Sequence, residues 1–427
     1  MAGGFRPHAA LSLPYATGIT ITVAGAAALL YSLATTSENA GRKNVIPSPR
    51  TTLLPQLSAA EQHDLPYPPD GLLPGARDVD SPYGSVRVYE WGPEDGPKVL
   101  LVHGISTPCI ALAAVAEELV RSGRRVMLFD LFGRGFSDSP TDLPYDARLY
   151  TTQILLALAS SPLSWTGSAS QSFSIVGYSL GGGIAADFAS YFYPRLVSSL
   201  VLIAPGGVMR RERVSWKSWW LYDVCPLLMP QGLLRRLVGR RLYTPVGGDD
   251  DATASTTAAA DVGNAAQAEA GQVVAGQQGR GRSRRDSMLS HPAPLLGADR
   301  WPHVTAAGAV NWQLAHHRGF VVPAFVSSMR CAPIYGQQER WRVVGEKVEA
   351  ERVAAVEEGG NERKGVLLLL GKDDPIVLVD EVGSDAVDAL GGEDNVRTVV
   401  LEAGHEVPMS KPKEVVRAMV EFWEGGV

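Results

Sequence analysis

The sequence predicts an α/β fold with a mostly parallel central sheet and helices on both of its faces. Short apolar runs alternate with amphipathic helical patterns, and this occurs in two blocks of the chain, residues 85–207 and 364–427. Uninterrupted apolar runs are typical of parallel strands that are buried on both faces. We therefore expect the two blocks to form one sheet, interrupted by residues 208–363.

The first block contains five predicted strands and three predicted helices. The predicted strands cover 85–91, 99–102, 126–129, 173–176 and 200–203, and the predicted helices cover 111–121, 148–160 and 182–193. The second block repeats the alternation, with strands over 366–370 and 396–401 and helices over 382–390 and 413–423. Turn-forming residues such as Gly92, Pro93 and Gly96 separate the elements.

Residues 208–363 do not follow this rhythm and are interpreted as an inserted helical cap. Trp216, Trp219 and Trp220 belong to a dense apolar cluster, which fits either the core of the cap or a patch that faces a membrane or a substrate. Residues 247–287 are rich in Ala, Gly, Thr and Gln, so we expect them to be disordered.

The N-terminal residues 1–40 are predicted to be a single transmembrane anchor. No Lys, Arg, Asp or Glu occurs between Arg6 and Glu38, and residues 13–34 would extend about 33 Å as a helix, enough to cross a bilayer. A cleaved signal peptide, a transit peptide or a buried helix is the alternative. The excess of basic residues after this stretch predicts that the C-terminal part of the chain lies on the cytosolic side. Residues 41–84 are rich in proline and are predicted to be a linker along the domain surface.

The composition excludes several classes of protein. The 427 residues are 45% hydrophobic and 20% charged, so the chain has enough apolar side chains for a core. The net charge of −6 argues against a nucleic-acid partner. Three scattered cysteines do not make a disulfide framework, and there is no H-E-x-x-H, phosphate-binding loop or dinucleotide fingerprint. We therefore expect no metal and no cofactor, and the sequence identifies no protein partner.

The strongest chemical signal is the segment Gly177-Tyr178-Ser179-Leu180-Gly181. It follows a predicted strand and begins a predicted helix, as a nucleophile elbow requires. A sharp strand-to-helix turn exposes the serine Oγ, and the helix N-terminus provides partial positive charge beside a developing oxyanion. Alternatively, Ser179 only caps a helix in a glycine-rich turn.

A serine nucleophile needs a base, and the base needs an acid that orients it. His405 follows the strand predicted over 396–401, and Asp373 and Asp374 follow the strand predicted over 366–370. Since active sites of parallel sheets lie at the carboxyl ends of the strands, these groups are expected to meet Ser179. The acid follows the serine and precedes the histidine in the chain, the order usual for this architecture.

These motifs together resemble the α/β-hydrolase fold family. The resemblance covers Gly104 after an early strand, the G-x-G-x-S segment that ends at Ser137, the elbow at Ser179, the acid segment 371–377 and Gly404-His405. It implies a triad of Ser179, His405 and Asp374, selecting Asp374 over Asp373. It also implies an oxyanion hole formed by the backbone N–H groups of Leu180 and Ile105, and a structural role for His103.

The resemblance implies ester hydrolysis through an acyl-enzyme. Related epoxide hydrolases and dehalogenases carry Asp at the position of Ser179, which disfavours those reactions. The anchor and the aromatic cap suggest an apolar ester, such as a lipid, as the substrate. Thioesterase, peptidase, acyltransferase and carbon–carbon hydrolase activities stay open on the same triad, and so does a non-catalytic membrane receptor or scaffold.

Overall fold

The computed structural model describes residues 44–166, 172–243, 294–296, 300–357 and 365–425. The chain divides into two compact units, Met1–Asn44 and Val45–Val427, and the fold described below is that of the second unit. The anchor over 1–40 and the disorder over 247–287 lie outside the described residues, so both stay predictions. Within the described ranges, none of the helices has the length and apolar character that crossing a bilayer requires.

The seven predicted strands are present, and the described chain has three further short strands, two of which precede the first block. The strands of the described chain are β1 (Val45–Ile46), β2 (Ala76–Val79), β3 (Val86–Trp91), β4 (Lys98–Val102), β5 (Arg125–Phe129), β6 (Ser139–Pro140), β7 (Phe173–Tyr178), β8 (Val197–Ile203), β9 (Val366–Gly371) and β10 (Val396–Leu401). β1 and β6 form a separate two-stranded sheet.

The other eight strands form one sheet in the order β2-β3-β5-β4-β7-β8-β9-β10. The strands from β5 to β10 in this order are parallel, whereas β3 is antiparallel to β5 and β2 is antiparallel to β3. The central strands β4, β5 and β9 are buried apart from the half-buried Lys98 at the start of β4, as their continuous apolar runs predict. The predicted fold class is therefore confirmed, with strands from both blocks in a single sheet.

Helices flank the sheet and fill the insertion. The described α-helices are α1 (Pro49–Thr52), α2 (Ala59–His63), α3 (Ala113–Arg121), α4 (Ala147–Ala159), α5 (Leu180–Phe192), α6 (Trp216–Trp219), α7 (Cys225–Leu228), α8 (Gln231–Leu242), α9 (Ala306–His316), α10 (Arg318–Cys331), α11 (Gln338–Glu357), α12 (Ser384–Ala389), α13 (Val407–Ser410) and α14 (Pro412–Trp423). A π-helical turn, Trp220–Val224, joins α6 to α7, and another, Val379–Gly383, precedes α12. α3 packs against α14, while α4 and α11 pack against α5.

The structure differs from the linker predicted over residues 41–84. Tyr67 is completely buried, and its hydroxyl donates a hydrogen bond to Asp130 Oδ2 over 2.9 Å. Leu72 and Leu73 are buried as well, and β2 extends the central sheet. The described residues of this segment are therefore part of the domain. Proline-rich composition does not distinguish a surface linker from a segment that buries its few large side chains.

The structure also differs at the end of the predicted cap, 208–363. α11 buries Trp341, Val344 and Val348, which share one side of the helix, and it packs on α5. A Cβ on Gly345 would lie only 2.4 Å from the carbonyl oxygen of Leu390, so the helix lies very close to the end of α12. α11 is therefore a helix of the sheet-flanking layer, and the described cap helices are α6 to α10.

Candidate active site

Ser179 lies in a strained turn between β7 and α5. Its φ of 53° and ψ of −120° are rarely adopted by residues other than glycine, and such a conformation costs about 1–3 kcal/mol. The backbone holds it there, because Ser179 N donates to Ile203 O over 3.0 Å and Gly206 N donates to Ser179 O over 2.8 Å. The turn leaves 7% of the serine exposed at the carboxyl end of the sheet.

The glycines of the elbow motif are required by close backbone approach. A Cβ on Gly177 would lie 2.2 Å from the carbonyl oxygen of Gly181, and a Cβ on Gly181 would lie 2.1 Å from that of Val102. Both distances are shorter than real Cβ contacts. The motif therefore allows α5 to begin directly against the end of β4, as the elbow prediction requires.

The structure brings Ser179, His405 and Asp374 into one hydrogen-bonded chain. His405 Nε2 lies 3.0 Å from Ser179 Oγ, and His405 Nδ1 lies 2.7 Å from Asp374 Oδ2. His405 follows β10 and Asp374 follows β9, so the three side chains come from the carboxyl ends of β7, β9 and β10. Both distances are within hydrogen-bonding range, which is the geometry of a nucleophile, a base and an orienting acid.

The two adjacent aspartates have different positions. Asp374 is 3% exposed, whereas Asp373 is on the surface. Asp374 Oδ1 accepts hydrogen bonds from the backbone N–H groups of Ile376 (2.7 Å) and Val377 (2.8 Å), which leaves Oδ2 for His405. The turn after β9 therefore fixes the carboxylate in the orientation that the imidazole needs.

The predicted oxyanion-hole residues lie on neighbouring segments. Leu180 is the first residue of α5, and Ile105 is in the loop after β4. The two segments approach closely, because a Cβ on Gly181 would lie 2.7 Å from the carbonyl oxygen of His103. The N-terminus of α5 also carries partial positive charge. The oxyanion role of these two N–H groups stays a prediction.

His103 contacts the loop backbone on both sides of its ring. Leu131 N donates to His103 Nε2 over 2.8 Å, so the proton is on Nδ1, which lies 2.8 Å from Gly104 O. Complete burial, together with the nearby charge of Arg134, lowers the pKa of His103 to about 3. The imidazole is therefore neutral and supports the loop, as the resemblance implies.

Sequence reasoning missed the role of Arg134, the middle residue of Gly133-Arg134-Gly135. Its guanidinium is completely buried and donates to Ile105 O over 3.0 Å and to Ser328 Oγ over 2.8 Å. Ser328 is on α10, so Arg134 connects the loop of a predicted oxyanion residue to the cap. A charged residue between two glycines in a loop suggests exposure, and no sequence signal pointed to this contact.

Within the described ranges, no cluster of three His, Cys, Asp or Glu side chains is arranged to hold a metal ion. The three cysteines are free, with Cys109 and Cys225 buried and Cys331 exposed.

The family model of the alpha/beta hydrolase fold matches residues 97–412. The chain belongs to this family. The match includes the three hydrogen-bonded residues and the whole of the insertion, residues 208–363.

Relatives identified by sequence match a smaller part of the chain. An uncharacterized protein of Mycobacterium tuberculosis is 33% identical over 122 residues, which cover 29% of this chain and 33% of that protein. A serine hydrolase-like protein of Danio rerio is 30% identical over 132 residues, which cover 31% of this chain and 38% of that protein. The chain thus spans about a third of the length of the curated relatives that it matches. The family and these relatives support a hydrolase.

Solved structures of the same fold are more distant in sequence. A bacterial membrane phospholipase A aligns with 97% of this chain and 98% of its own, at a TM-score of 0.50 and 17% identity. A bromoperoxidase from Bacillus anthracis aligns with 82% of this chain and 99% of its own, at a TM-score of 0.50 and 14% identity. At these identities the likeness shows the fold alone.

Proposed function

We propose that this chain is a serine hydrolase that cleaves a carboxylic ester through an acyl-enzyme on Ser179. One observation carries the proposal: Ser179 Oγ, the imidazole of His405 and the carboxylate of Asp374 form a continuous hydrogen-bonded chain at the carboxyl edge of the sheet. The strained backbone of Ser179 supports it, because strain of this kind is maintained where it positions a functional group.

Each group has one role in this proposal. Ser179 Oγ attacks the ester carbonyl carbon while His405 Nε2 takes the hydroxyl proton, and Asp374 stabilises the imidazolium that forms. The N–H groups of Leu180 and Ile105 would stabilise the oxyanion. Collapse of this intermediate breaks the ester bond, and the leaving alcohol takes the proton from His405. A water molecule then attacks the acyl carbon while His405 takes one of its protons. Cleavage of the bond between the acyl carbon and Ser179 Oγ releases the carboxylic acid, and His405 returns the proton to Ser179 Oγ.

An apolar ester is the substrate class that we propose. A cavity of about 340 Å³ in the cap is lined mainly by apolar and aromatic side chains, among them Val214, Trp216, Trp219 and Met329. Such a lining binds acyl or other apolar groups by removing their surface from water. The aromatic cap therefore supports an apolar substrate, and a lipid ester fits this chemistry.

We also propose that the chain is attached to a membrane through residues 1–40, with the catalytic domain on the cytosolic side. The uncharged stretch of residues 13–34 and the basic residues that follow it support this arrangement. A reporter of topology fused to the C-terminus, read for protease access in intact and opened membranes, tests it. In sealed vesicles whose cytosolic face is outside, protection of the fused domain from added protease would contradict the cytosolic placement.

A fluorophosphonate probe tests the catalytic role of Ser179. We expect the wild-type chain to be labelled and the Ser179→Ala variant to be unlabelled, because only an activated serine Oγ displaces the fluoride at a useful rate. Ser198→Ala is the matched control, since this exposed serine lies at the opposite end of the neighbouring strand β8. A wild-type chain that folds and is not labelled contradicts the proposal and favours a non-catalytic scaffold.

A substrate panel tests the reaction class. Esters of increasing acyl length, with the matching thioesters and amides, are compared by kcat/KM for the wild type and Ser179→Ala. We expect the long-chain oxygen esters to give the highest Ser179-dependent values. A preference for thioesters or amides would assign other acyl chemistry to the same triad, and activity confined to short esters would exclude the apolar substrate.

A further inference from the structure

The first helices of the cap present a large apolar surface to solvent. We define the Trp face as Trp216, Trp219, Trp220, Leu227 and Leu228, which lie on α6, the π-helical turn after it and α7. The exposed fractions of Trp216, Leu227 and Leu228 are 73%, 72% and 71%. Of the fourteen large apolar side chains exposed among the described residues, eight lie between 216 and 243. A concentration of this kind marks a binding surface.

The Trp face is the outer side of a segment whose inner side is already packed. Ser218, Tyr222 and Cys225 are buried, and their spacing places them together on the side that faces the rest of the cap. Trp216 and Leu227 are eleven residues apart, close to three helical turns, so they share the outer side. The segment thus buries a serine and exposes three tryptophans, which is the reverse of the usual distribution.

The charge around the Trp face is opposite to that of the whole chain. Residues 210–243 carry eight Lys or Arg and two acidic residues, a net charge of +6, whereas the whole chain has −6. Arg210 and Arg213 are paired with Asp385 and Glu381. The side chain of Lys217 is exposed beside Trp216, and those of Arg236 and Arg240 are exposed on α8, where Leu233 and Leu237 are exposed as well. An occupant of this surface therefore has both an apolar and an anionic part.

We infer that the Trp face binds the surface of a lipid bilayer that contains anionic lipids. Indole rings are stable at the level of the headgroups, where their apolar body and their N–H group each find a suitable environment. Leu227 and Leu228 would enter the acyl boundary, while Lys217, Arg236 and Arg240 contact anionic headgroups. This contact is separate from the predicted anchor, and it would fix the orientation of the cap on the membrane.

The Trp face also borders the cavity of the cap. Trp216 and Trp219 belong to both, and the cavity is further lined by Arg211 and Tyr335. The residue before Tyr335, Ile334, lies at the elbow: a Cβ on Gly206 would be 3.6 Å from Ile334 Cα and 3.5 Å from Ser179 O. Docking would therefore place the cavity against the lipid layer, from which an apolar ester could enter. This last step rests on the proposed function, whereas the docking does not.

Depth measurements on the full chain test the docking. A fluorescent NBD group is attached at Leu227→Cys in a Cys331→Ser background, since Cys109 and Cys225 are buried. The matched control carries the group at Val400→Cys, an exposed apolar position on β10. Vesicles of phosphatidylcholine, with and without phosphatidylserine, contain nitroxide-labelled lipid as the quencher. An anchor alone would carry both labels to the vesicle, but only docking would insert the label at position 227.

We expect severalfold stronger emission and strong quenching at position 227 on vesicles with phosphatidylserine, and no quenching at position 400. Equal quenching at both positions overturns the proposal, and so does an equal response without phosphatidylserine. A label at position 227 that is already shielded in the absence of vesicles also overturns it, because another part of the chain would then cover the face.

Charge reversal gives a second test that separates docking from catalysis. The triple variant Lys217→Glu, Arg236→Glu, Arg240→Glu should weaken the response at position 227 at least about tenfold, because each cation near an anionic surface contributes to binding. Fluorophosphonate labelling in detergent should stay unchanged. Retained docking in a chain that the probe never labels would contradict the proposed function alone, and labelling without docking would contradict this inference alone.

Discussion

At the scale of single residues, the orientation of Asp374 decides which tautomer His405 adopts. The N–H groups of Ile376 and Val377 bind Oδ1, which must therefore be an acceptor. In Asp374→Asn the amide oxygen would take this position, and the NH₂ group would face His405 Nδ1. The imidazole would then carry its proton on Nε2, where it cannot accept the proton of Ser179.

We expect Asp374→Asn to lower kcat by about 10³–10⁴ with little change in stability. Steady-state hydrolysis of a chromogenic ester and a thermal melt measure the two effects. Asp373→Asn is the matched control, because the neighbouring carboxylate is on the surface. A similar loss in both variants would argue that the turn, and not the Asp374 carboxylate, orients the base.

The buried His103 makes stability depend on pH. Its pKa is about 3 in the folded chain and about 6.5 when unfolded, so between these values only the unfolded chain takes up the proton. The contribution of the neutral His103 to the free energy of unfolding is therefore fully present above pH 6.5. It is lost as the pH falls toward 3, by about 1.4 kcal/mol per pH unit.

We expect His103→Gln to be less stable than the wild type at pH 7 but to lose less stability between pH 6.5 and 4. The glutamine can accept from Leu131 N and has no proton to gain in this range. Urea unfolding at a series of pH values measures the free energy of unfolding of both chains. Groups that titrate in both chains, such as Asp130, cancel when the variant is subtracted from the wild type. Parallel stability curves for the two chains would show that His103 does not titrate on unfolding.

At the scale of elements, Arg134 joins three parts of the fold. Its guanidinium donates to Ile105 O in the loop after β4, to Phe132 O in its own loop and to Ser328 Oγ on α10. Each of these acceptors is a neutral oxygen. A lysine has one nitrogen and cannot reach all three directions, so buried acceptors would be left unpaired at about 1–3 kcal/mol each.

We therefore expect Arg134→Lys to reduce the free energy of unfolding by about 2–4 kcal/mol and to lower kcat, because the loop of Ile105 would lose its support. Ser328→Ala removes one contact and should have a smaller effect on both. Arg148→Lys, at an exposed salt bridge on α4, is the control and should stay within about 0.5 kcal/mol of the wild type. A kcat that does not change in Arg134→Lys would separate the cap contact from the active site.

At the scale of elements, the sequence does not predict the strand β2 or the position of the helix α11 beside the sheet, and both have mixed side chains. β2 contains Arg77 and Asp78 and lies at an edge of the sheet, so it has no apolar run. α11 is highly charged, and only one side of it, which includes Trp341 and Val344, is buried. Central strands are predicted well because burial on both faces requires continuous apolar sequence, a condition that edge strands and half-exposed helices do not meet.

At the scale of the whole molecule, parallel topology explains why residues far apart in sequence could be predicted to meet. Strands that run in the same direction end at the same edge, so residues after β7, β9 and β10 meet there. No topological rule of this kind predicts where the segment before β3 packs. Tyr67 reaches Asp130 and Tyr89 by tertiary packing alone, and its sequence neighbours are prolines that fit many surface paths.

This segment leads to a prediction about truncated chains. Leu54, Tyr67, Leu72 and Leu73 are buried in the common core. At about 1.5–3 kcal/mol for each large buried side chain, their removal would cost about 6–12 kcal/mol, which is comparable with the entire stability of a typical domain. We expect a chain that begins at Val45 to melt cooperatively, and a chain that begins at Ser85 to lack a cooperative transition.

Circular dichroism and calorimetric melts of the two truncated chains measure this difference, independently of any activity. Tyr67→Phe in the longer chain isolates the hydroxyl: it keeps the buried ring but removes one donor to Asp130, while Cys109 N and Phe136 N still donate to this carboxylate. We expect this variant to fold with a loss of about 1–3 kcal/mol. A chain from Ser85 that melts like the longer one would show that residues 45–84 add little to the core, in agreement with a linker after all.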